Sequence, residues 1–246
     1  MKLFAIREAD SLVAHTIEVI KLKRSWSSGF TLGPLDFHAE PGETIAVFGK
    51  NGAGKSTFFQ LLSGSVDRED GELKILGQKM SPDATVLRHK VGYLPQESSL
   101  PPWTTPEEIL FYEAKLLGLP EPMALVEREL KRWDAVTWRH RPIAKSSHGM
   151  QRRIGLAVAM IHDPDVLILD EPFNALDIVN SRTLEDAIKD RSSRGKTTLI
   201  SIHTPLLAAD ICPRAILLEA GRLEELSSWS TATLTERAKL IESRFF

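Results

Sequence analysis

The chain has 246 residues, of which 42% are hydrophobic and 26% are charged, a composition typical of a folded globular protein. Its formal net charge of −2 lacks the strong positive field of a nucleic-acid-binding protein, so we expect no nucleic-acid partner, and the single cysteine, Cys212, excludes a disulfide within the chain. No apolar run approaches the roughly 20 residues that span a bilayer, and residues 1–16 show no signal-peptide pattern.

The first hundred residues are predicted to contain mainly strands. Alternating apolar and polar residues predict an amphipathic strand over residues 16–24, and the apolar run at 44–49 predicts a buried strand that ends at a glycine. A helix is predicted over residues 56–64, and further strands over 71–77 and 90–96.

A mostly helical insert is predicted after these strands, with approximate bounds at residues 97–160. Thr105 as N-cap, Pro106 at the first helical position and Glu108 three residues after the cap predict a helix start with a capping box. The next predicted helix has an apolar face formed by Val126, Leu130 and Trp133.

Strand and helix alternate again after the insert. We predict a helix that ends near Asp163-Pro164, a strand buried on both faces at 166–170 and a helix over 177–194. Late strands are predicted at 197–203 and 214–223. This alternation indicates an α/β architecture.

A phosphate-binding loop is predicted at residues 49–57, GKNGAGKST, between a strand and a helix. Glycines let backbone N–H groups turn towards an anion, and the helix N-terminus adds a positive dipole end. Lys55 can reach the β- and γ-phosphates of a nucleotide, and the Ser56 hydroxyl can bind Mg²⁺. The residues predicted to bind the nucleotide here are Gly49, Asn51, Gly52, Ala53, Gly54, Lys55, Ser56 and Thr57.

Two carboxylates follow the strand at 166–170, in the sequence VLILDEP. Uncompensated charge at a buried strand end is costly, so we expect a cation nearby. Beside a phosphate loop that cation is Mg²⁺, held by Asp170, while Glu171 could act as the general base for an attacking water.

These motifs in this order resemble the ATP-binding subunits of ABC transporters, over roughly residues 17–223. The resemblance implies a P-loop NTPase (RecA-like) core with an antiparallel β subdomain and an inserted α-helical subdomain, in a single ATPase domain over 1–246 with a short tail at 224–246. GYLPQ is similar to the Q-loop, with Gln96 as the glutamine that senses Mg²⁺ and the membrane partner.

The resemblance assigns the remaining site residues. SSHGMQ, residues 146–151, is similar to the signature motif, with Ser147 and Gly149 at its phosphate-binding positions and His148 in place of a glycine. NALD resembles the D-loop, with Asp177 at a dimer interface. His203 resembles the switch histidine that contacts the γ-phosphate. Trp26 stands where an aromatic stacks on adenine, with Phe30 as a competitor.

The resemblance also implies how such a protein works. Two cassettes, identical or different, pair head to tail with ATP between the phosphate loop of one and the signature motif of the other. ATP and Mg²⁺ are the expected ligands, with Glu171, His203, Lys55 and Gln96 as catalytic residues. We expect a peripheral ATPase at the cytoplasmic face of the cell membrane, coupled to a separate integral membrane permease. The short tail and the signature sequence favour an exporter.

Two other classes compete with this interpretation. A soluble, non-transport ABC ATPase acting on nucleic acid or ribosomes would usually carry long coiled coils, zinc-binding cysteines or two cassettes, which this sequence lacks. An unrelated phosphate-loop kinase or GTPase would not explain Gln96, residues 146–151 and His203 together.

Overall fold

The computed structural model describes residues 15–27, 29–97 and 100–245, and within them the chain forms ten strands in two sheets and eight α-helices. The strands are β1 (Ile17–Ser25), β2 (Thr31–Ala39), β3 (Thr44–Phe48), β4 (Asp70–Ile75), β5 (Gln78–Lys79), β6 (Val91–Leu94), β7 (Val166–Leu169), β8 (Thr197–Ser201), β9 (Arg214–Glu219) and β10 (Arg222–Glu225). The α-helices are α1 (Lys55–Leu62), α2 (Thr85–Arg88), α3 (Pro106–Leu116), α4 (Pro122–Arg132), α5 (His148–Met160), α6 (Ile178–Ser193), α7 (Pro205–Ile211) and α8 (Leu234–Phe245). Most of the segment examined for a signal peptide, residues 1–14, lies outside the described residues.

The larger sheet has the order β10-β9-β3-β8-β7-β6, and its strands are parallel except for β10. Every residue of β3, β7 and β8 is buried, as expected for strands covered on both faces. The predicted α/β core is therefore confirmed. The strand predicted over 214–223 was wrong in one respect, because Ala220 and Gly221 adopt positive φ and turn the chain into the hairpin of β9 and β10.

The smaller sheet is antiparallel, with the order β2-β1-β4-β5, and it confirms the predicted antiparallel part of the fold. The strand β2 was missed in the sequence because Gly33 and Pro34 interrupt its alternation of apolar and polar residues. At Gly33, φ is +96° and a Cβ atom would come within 2.1 Å of the Leu22 carbonyl oxygen. Only glycine fits at this close approach of two strands.

Alternate residues of the central strands enter two separate cores. Ile45 and Val47 of β3 pack with Phe58 and Phe59 of α1, on the side of the antiparallel sheet. Ala46 and Phe48 face the opposite core, which contains the helices α3 to α5. Full burial of each large aliphatic side chain contributes about 1.5–3 kcal/mol to folding, so both faces hold the sheet in place.

The helix α3 begins as the sequence predicts. Thr105 caps α3, accepts from the Glu108 backbone N–H and is bonded in return by the Glu108 carboxylate, while Pro106 occupies the first turn. Val126, Leu130 and Trp133, predicted as one apolar face, are all fully buried. The buried Glu129 beside them accepts hydrogen bonds from Arg128 and from the Trp133 indole, which compensates its charge.

The segment predicted as a short tail packs onto the core. Trp229 is fully buried, its ring centroid lies 5.4 Å from that of Phe48 at the end of β3, and its indole donates to the Cys212 carbonyl. The helix α8 then packs against α7. None of the helices in the described part of the chain combines the length and the apolar character that crossing a membrane requires.

Candidate functional site

Apart from Trp26 and the signature residues Ser147 and Gly149, the predicted site residues follow the carboxyl ends of four neighbouring strands. The strands β3, β8, β7 and β6 are adjacent and parallel, so the loops after them lie along one edge of the sheet. A cavity of about 580 Å³ opens at this edge. Its lining residues are Phe30, Lys50, Asn51, Gly52, Gly54, Lys55, Ser56, Thr57, Gln96 and Glu171.

The phosphate loop forms one wall of this cavity. Gly52 and Gly54 have φ of +81° and +107°, and a Cβ atom on Gly54 would lie 2.8 Å from the Phe30 ring. The helix α1 starts at Gly54 with no side-chain cap and no acidic residue in its first turn. Its first backbone N–H groups are therefore available to an anion.

Gly49 and Ala53, two residues predicted to bind the nucleotide, contact β9 and the turn after it. A Cβ atom on Gly49 would lie 2.4 Å from the Leu218 carbonyl oxygen, so the loop passes directly beside β9. Ala53 is buried, donates its N–H to the Lys50 carbonyl and accepts from Gly221. Neither Gly49 nor Ala53 lines the cavity, so they shape the loop through their backbones.

Lys55 lies under the loop it belongs to. The side chain is 6% exposed, and Nζ donates to the carbonyl oxygens of Gly49, at 2.7 Å, and Lys50, at 3.4 Å. Burial lowers the pKa of the Lys55 ammonium, and the charges of Glu171 and Asp170 oppose that shift.

Asp170 is fully buried and is held by two hydroxyl groups. Ser56 Oγ donates to Oδ2 and Ser201 Oγ to Oδ1, both at 2.6 Å. Hydroxyl and carboxylate oxygens are ligands that Mg²⁺ prefers. Ser56 and Gln96 line the cavity, whereas Asp170 does not line it and is linked to it through its hydrogen bond with Ser56. These residues fit the ion. Within the described residues no group of three or more His, Cys, Asp or Glu side chains is placed to hold a metal ion.

Glu171 enters the cavity from the next position along the chain. Its backbone φ is 50°, and its N–H donates to Ser201 Oγ at 2.7 Å, which turns its side chain away from Asp170. His203 Nε2 lies 2.5 Å from Glu171 Oε1, and Asn174 Nδ2 donates to Oε2 at 2.7 Å. The strand β8 ends at Ser201, so His203 lies in the loop after the strand and not at its end as predicted.

Gln96 and the signature segment are joined by Arg152. The buried Arg152 guanidinium donates to the backbone carbonyls of Pro95, Gln96 and Asp170. Burial lowers the pKa of this group, and the charges of Asp170 and Glu171 oppose the shift. A single residue of α5 thus fixes the backbone on both sides of the predicted magnesium site.

The signature segment lies outside the cavity. Ser147 caps α5, and its hydroxyl accepts from the Met150 N–H at 3.3 Å. The exposed His148 side chain borders a separate cavity of about 200 Å³ together with Gln96 and Asn174. A Cβ atom on Gly149 would lie 2.4 Å from the Ala175 carbonyl oxygen, so this glycine permits close packing of the next motif.

Asp177 is exposed at the start of α6. Its carboxylate accepts from the backbone N–H and the side-chain amide of Asn180. The backbone hydrogen bond from Asn180 lowers the Asp177 pKa. The geometry gives Asp177 a helix-capping role, and its predicted place at a dimer interface stays a prediction.

Of the two aromatic candidates, Phe30 lines the nucleotide cavity. The Trp26 ring lies behind it, at a centroid distance of 6.2 Å, and has the Arg24 guanidinium over its own face. This geometry favours Phe30 as the residue nearest a bound base, and the predicted stacking of adenine on Trp26 stays untested.

Three residues that organise the site were not predicted from the sequence. They are Arg152, Ser201 and Asn174. Ser201 ends an otherwise apolar buried strand, and Arg152 lies on a helix face that is otherwise apolar, so both were detectable as polar groups in apolar surroundings. No feature of the sequence other than its position in NALD indicated a role for Asn174.

A family model described as ABC transporter matches residues 32–174. The Nod factor export ATP-binding protein I of Paraburkholderia xenovorans is 33% identical over 208 residues, which cover 84% of this chain and 68% of that protein. An uncharacterized ABC transporter ATP-binding protein of Methanocaldococcus jannaschii, MJ1023, is 30% identical over 208 residues, which cover 84% of this chain and 75% of that protein.

Two solved structures share the fold. One, described as an ATP binding subunit of an ABC transporter, superposes with a TM-score of 0.81 at 26% identity and covers 92% of this chain and 99% of that chain. The other is a dimeric post-hydrolysis state of the ATP-binding cassette MJ0796 with ADP and Pi. It superposes with a TM-score of 0.77 at 22% identity and covers 85% of this chain and 98% of that chain.

Proposed function

The chain belongs to the ABC transporter family and is an ATP-binding, ATP-hydrolysing subunit of that family, and from this premise we propose how its residues act and with which partners. The observation that carries the proposal is the convergence of the phosphate loop, Gln96 and Glu171 on one cavity of about 580 Å³. The alternative of a cassette acting on nucleic acid or ribosomes is not favoured, because the matched relatives are transporter subunits.

In this proposal the phosphate loop and the uncapped start of α1 bind the ATP phosphates, and Lys55 Nζ moves from the Gly49 carbonyl to the β- and γ-phosphate oxygens. Ser56, Asp170 and Gln96 would hold Mg²⁺, which neutralises phosphate charge when bound. Glu171 accepts a proton from a water molecule as that water attacks the γ-phosphorus, and the bond to the ADP oxygen breaks. His203 fixes the Glu171 carboxylate from one side.

A second cassette is proposed because the signature segment lies outside the cavity of its own chain. Among the described residues that line the cavity, none belongs to residues 146–151. Ser147 and Gly149 of one copy would instead face the ATP of its partner and supply backbone N–H groups and a helix dipole. The MJ0796 cassette, which has the same fold, is a dimer in its solved structure.

The proposed assembly also contains a separate integral membrane permease, with this chain bound at the cytoplasmic face of the cell membrane. ATP binding would close the pair of cassettes, and hydrolysis would release it, so that the permease changes conformation. The direction proposed is export, supported by the relatives that are named for export of Nod factor. The division into a helical part at 97–160 and a tail at 224–246 remains part of the proposal.

Replacement Glu171→Gln tests the catalytic assignment. We expect ATP binding to persist while hydrolysis falls by about 10²–10⁴-fold, because Gln cannot accept the proton. The matched control is Glu72→Gln, an exposed carboxylate on β4 that does not line the cavity. Turnover of Glu171→Gln equal to that of the control would exclude Glu171 as the base. Copurification of a multi-span membrane protein from membranes would test the transporter assembly.

A further inference from the structure

The Glu171 carboxylate has a hydrogen-bond partner at each oxygen. His203 approaches Oε1 from the loop after β8, and Asn174 donates to Oε2 from the loop after β7. The charge of this carboxylate in turn raises the pKa of Lys55, on α1, and of Arg152, on α5, against the effect of their burial. The histidine is part of the proposed machinery, whereas Asn174 has no role in it so far.

Asn174 lies in a loop whose backbone is held in an unfavourable conformation. Glu171 and Ala175 have φ of 50° and 63°, a region that costs a residue with a side chain roughly 1–2 kcal/mol. The Asn174 N–H also donates to the Glu171 carbonyl at 3.2 Å. Contacts from residues outside this loop must therefore maintain the turn.

The outside contact comes from the signature helix. The Ala175 carbonyl oxygen lies so close to Gly149 that a Cβ atom there would approach it to 2.4 Å. The exposed segment 174–175 thus contacts Gly149 on one side and the Glu171 carboxylate on the other. Asn174 is the point at which this packed loop reaches the carboxylate.

We propose that Asn174 is a positioning residue for Glu171, an inference that rests on the proposed role of Glu171 as the base. A carboxylate with one hydrogen-bond donor can still rotate about its last bond, because that torsion is broad. Donors at both oxygens fix the plane of the group and so the direction from which a water must approach. Small misplacement of a reacting group is enough to cost one to two orders of magnitude in rate.

A purely structural role for Asn174 would have different consequences. The Asn174 side chain is exposed, and Glu171, although buried, lines the nucleotide cavity, so water can replace the lost donor at Oε2. We therefore expect Asn174 variants to fold normally and to bind ATP normally. The predicted effect is confined to the rate of the chemical step.

The test measures kcat, the KM for ATP and the melting temperature of the full-length chain with Asn174→Leu, which keeps the size and removes the donor. The expected result is a fall in kcat of about 10–100-fold with KM and melting temperature unchanged. Asn174→Ser, which keeps a donor on a shorter side chain, should give an intermediate kcat. Gln78→Leu, an exposed amide on β5, is the matched control and should equal the natural protein.

Three outcomes would overturn the inference. If Asn174→Leu keeps kcat within twofold while Glu171→Gln is inactive, Asn174 does not position the base. A lower melting temperature together with a higher KM would identify a structural residue. Normal turnover in Glu171→Gln would refute the proposed role of Glu171 itself, and the positioning role would fail with it.

Discussion

The helices α1 and α5 both present their N-termini to ATP in the proposed assembly, but they begin in opposite ways. The start of α1 is Gly54, which is left-handed and carries no capping side chain, with Lys55 buried at the first helical position. The start of α5 is Ser147, whose hydroxyl caps the helix, with an exposed His148 next to it. The α1 terminus leaves its backbone N–H donors free for the ligand, whereas at the α5 terminus the Ser147 hydroxyl accepts from one of the backbone N–H donors.

This difference shows which half of the site is complete within one chain. The α1 terminus lies between the two sheets and is fixed by contacts to Phe30 and β9. The α5 terminus is exposed and stable without a ligand, as expected for a surface that meets its phosphate only when a partner arrives. Four substitutions test this contrast.

The largest effect is expected at α1, from Lys55→Ala. The variant removes the only side-chain cation among the phosphate-loop residues predicted to bind the nucleotide, so we expect kcat to fall by about 10²–10³-fold and ATP affinity to weaken. Turnover assays and nucleotide titration measure both. Lys79→Ala on β5 serves as the control. A kcat within tenfold of the natural protein would contradict the assignment of this terminus.

At α5 the largest effect is expected from Gly149→Ala. The added methyl group would meet the Ala175 carbonyl at 2.4 Å and displace the loop that carries Asn174. We expect kcat to fall by about tenfold or more, while a single subunit still binds ATP with normal affinity. Reduced ATP affinity in the isolated subunit would show instead that α5 contributes to the cavity of its own chain.

Removal of the cap by Ser147→Ala should lower the free energy of unfolding by about 1 kcal/mol and reduce turnover several-fold. Thr105→Ala removes a comparable cap from α3, far from the predicted phosphate contacts, and provides the comparison. Denaturant unfolding and ATPase assays separate the two effects. Equal turnover in both variants would assign Ser147 a capping role only.

The smallest effect is expected from His148→Gly. The side chain is exposed and lies outside the nucleotide cavity, and glycine near a helix start costs at most about 1 kcal/mol. We expect ATPase activity to stay within a few-fold of the natural value. Loss of activity would make His148 a working part of the signature segment.

The sequence predicted those parts of the molecule that depend on local pattern. The glycines and Lys55 of residues 49–57, the capping box at Thr105 and the buried strand at 166–170 follow from neighbouring residues alone. The antiparallel strand β2 was missed because Gly33 and Pro34 disrupt its pattern, although long-range pairing with β1 supplies its stability.

The connections between distant motifs could not be predicted in the same way. Arg152 reaches Asp170 and Gln96, which are 18 and 56 residues away, and Ser201 bonds Asp170 across 31 residues. Such contacts depend on strand order, which local periodicity does not determine. The role of Asn174 requires the turn at Glu171, and no residue in NALD indicates that turn.

The position of β3 between β8 and β9 has a consequence for folding during synthesis on the ribosome. Thr44 pairs with Thr198, so β3, which leads into the phosphate loop, cannot pair with β8 until 154 more residues have been synthesised. At about 5–20 residues per second this delay is roughly 8–30 s. Until then the emerging chain has the complete motif for holding ATP phosphates, but β3 has no neighbouring strand in the larger sheet. Pairing over such distances is slow to form, and we expect the nascent chain to acquire nucleotide affinity only as its last strands leave the ribosome.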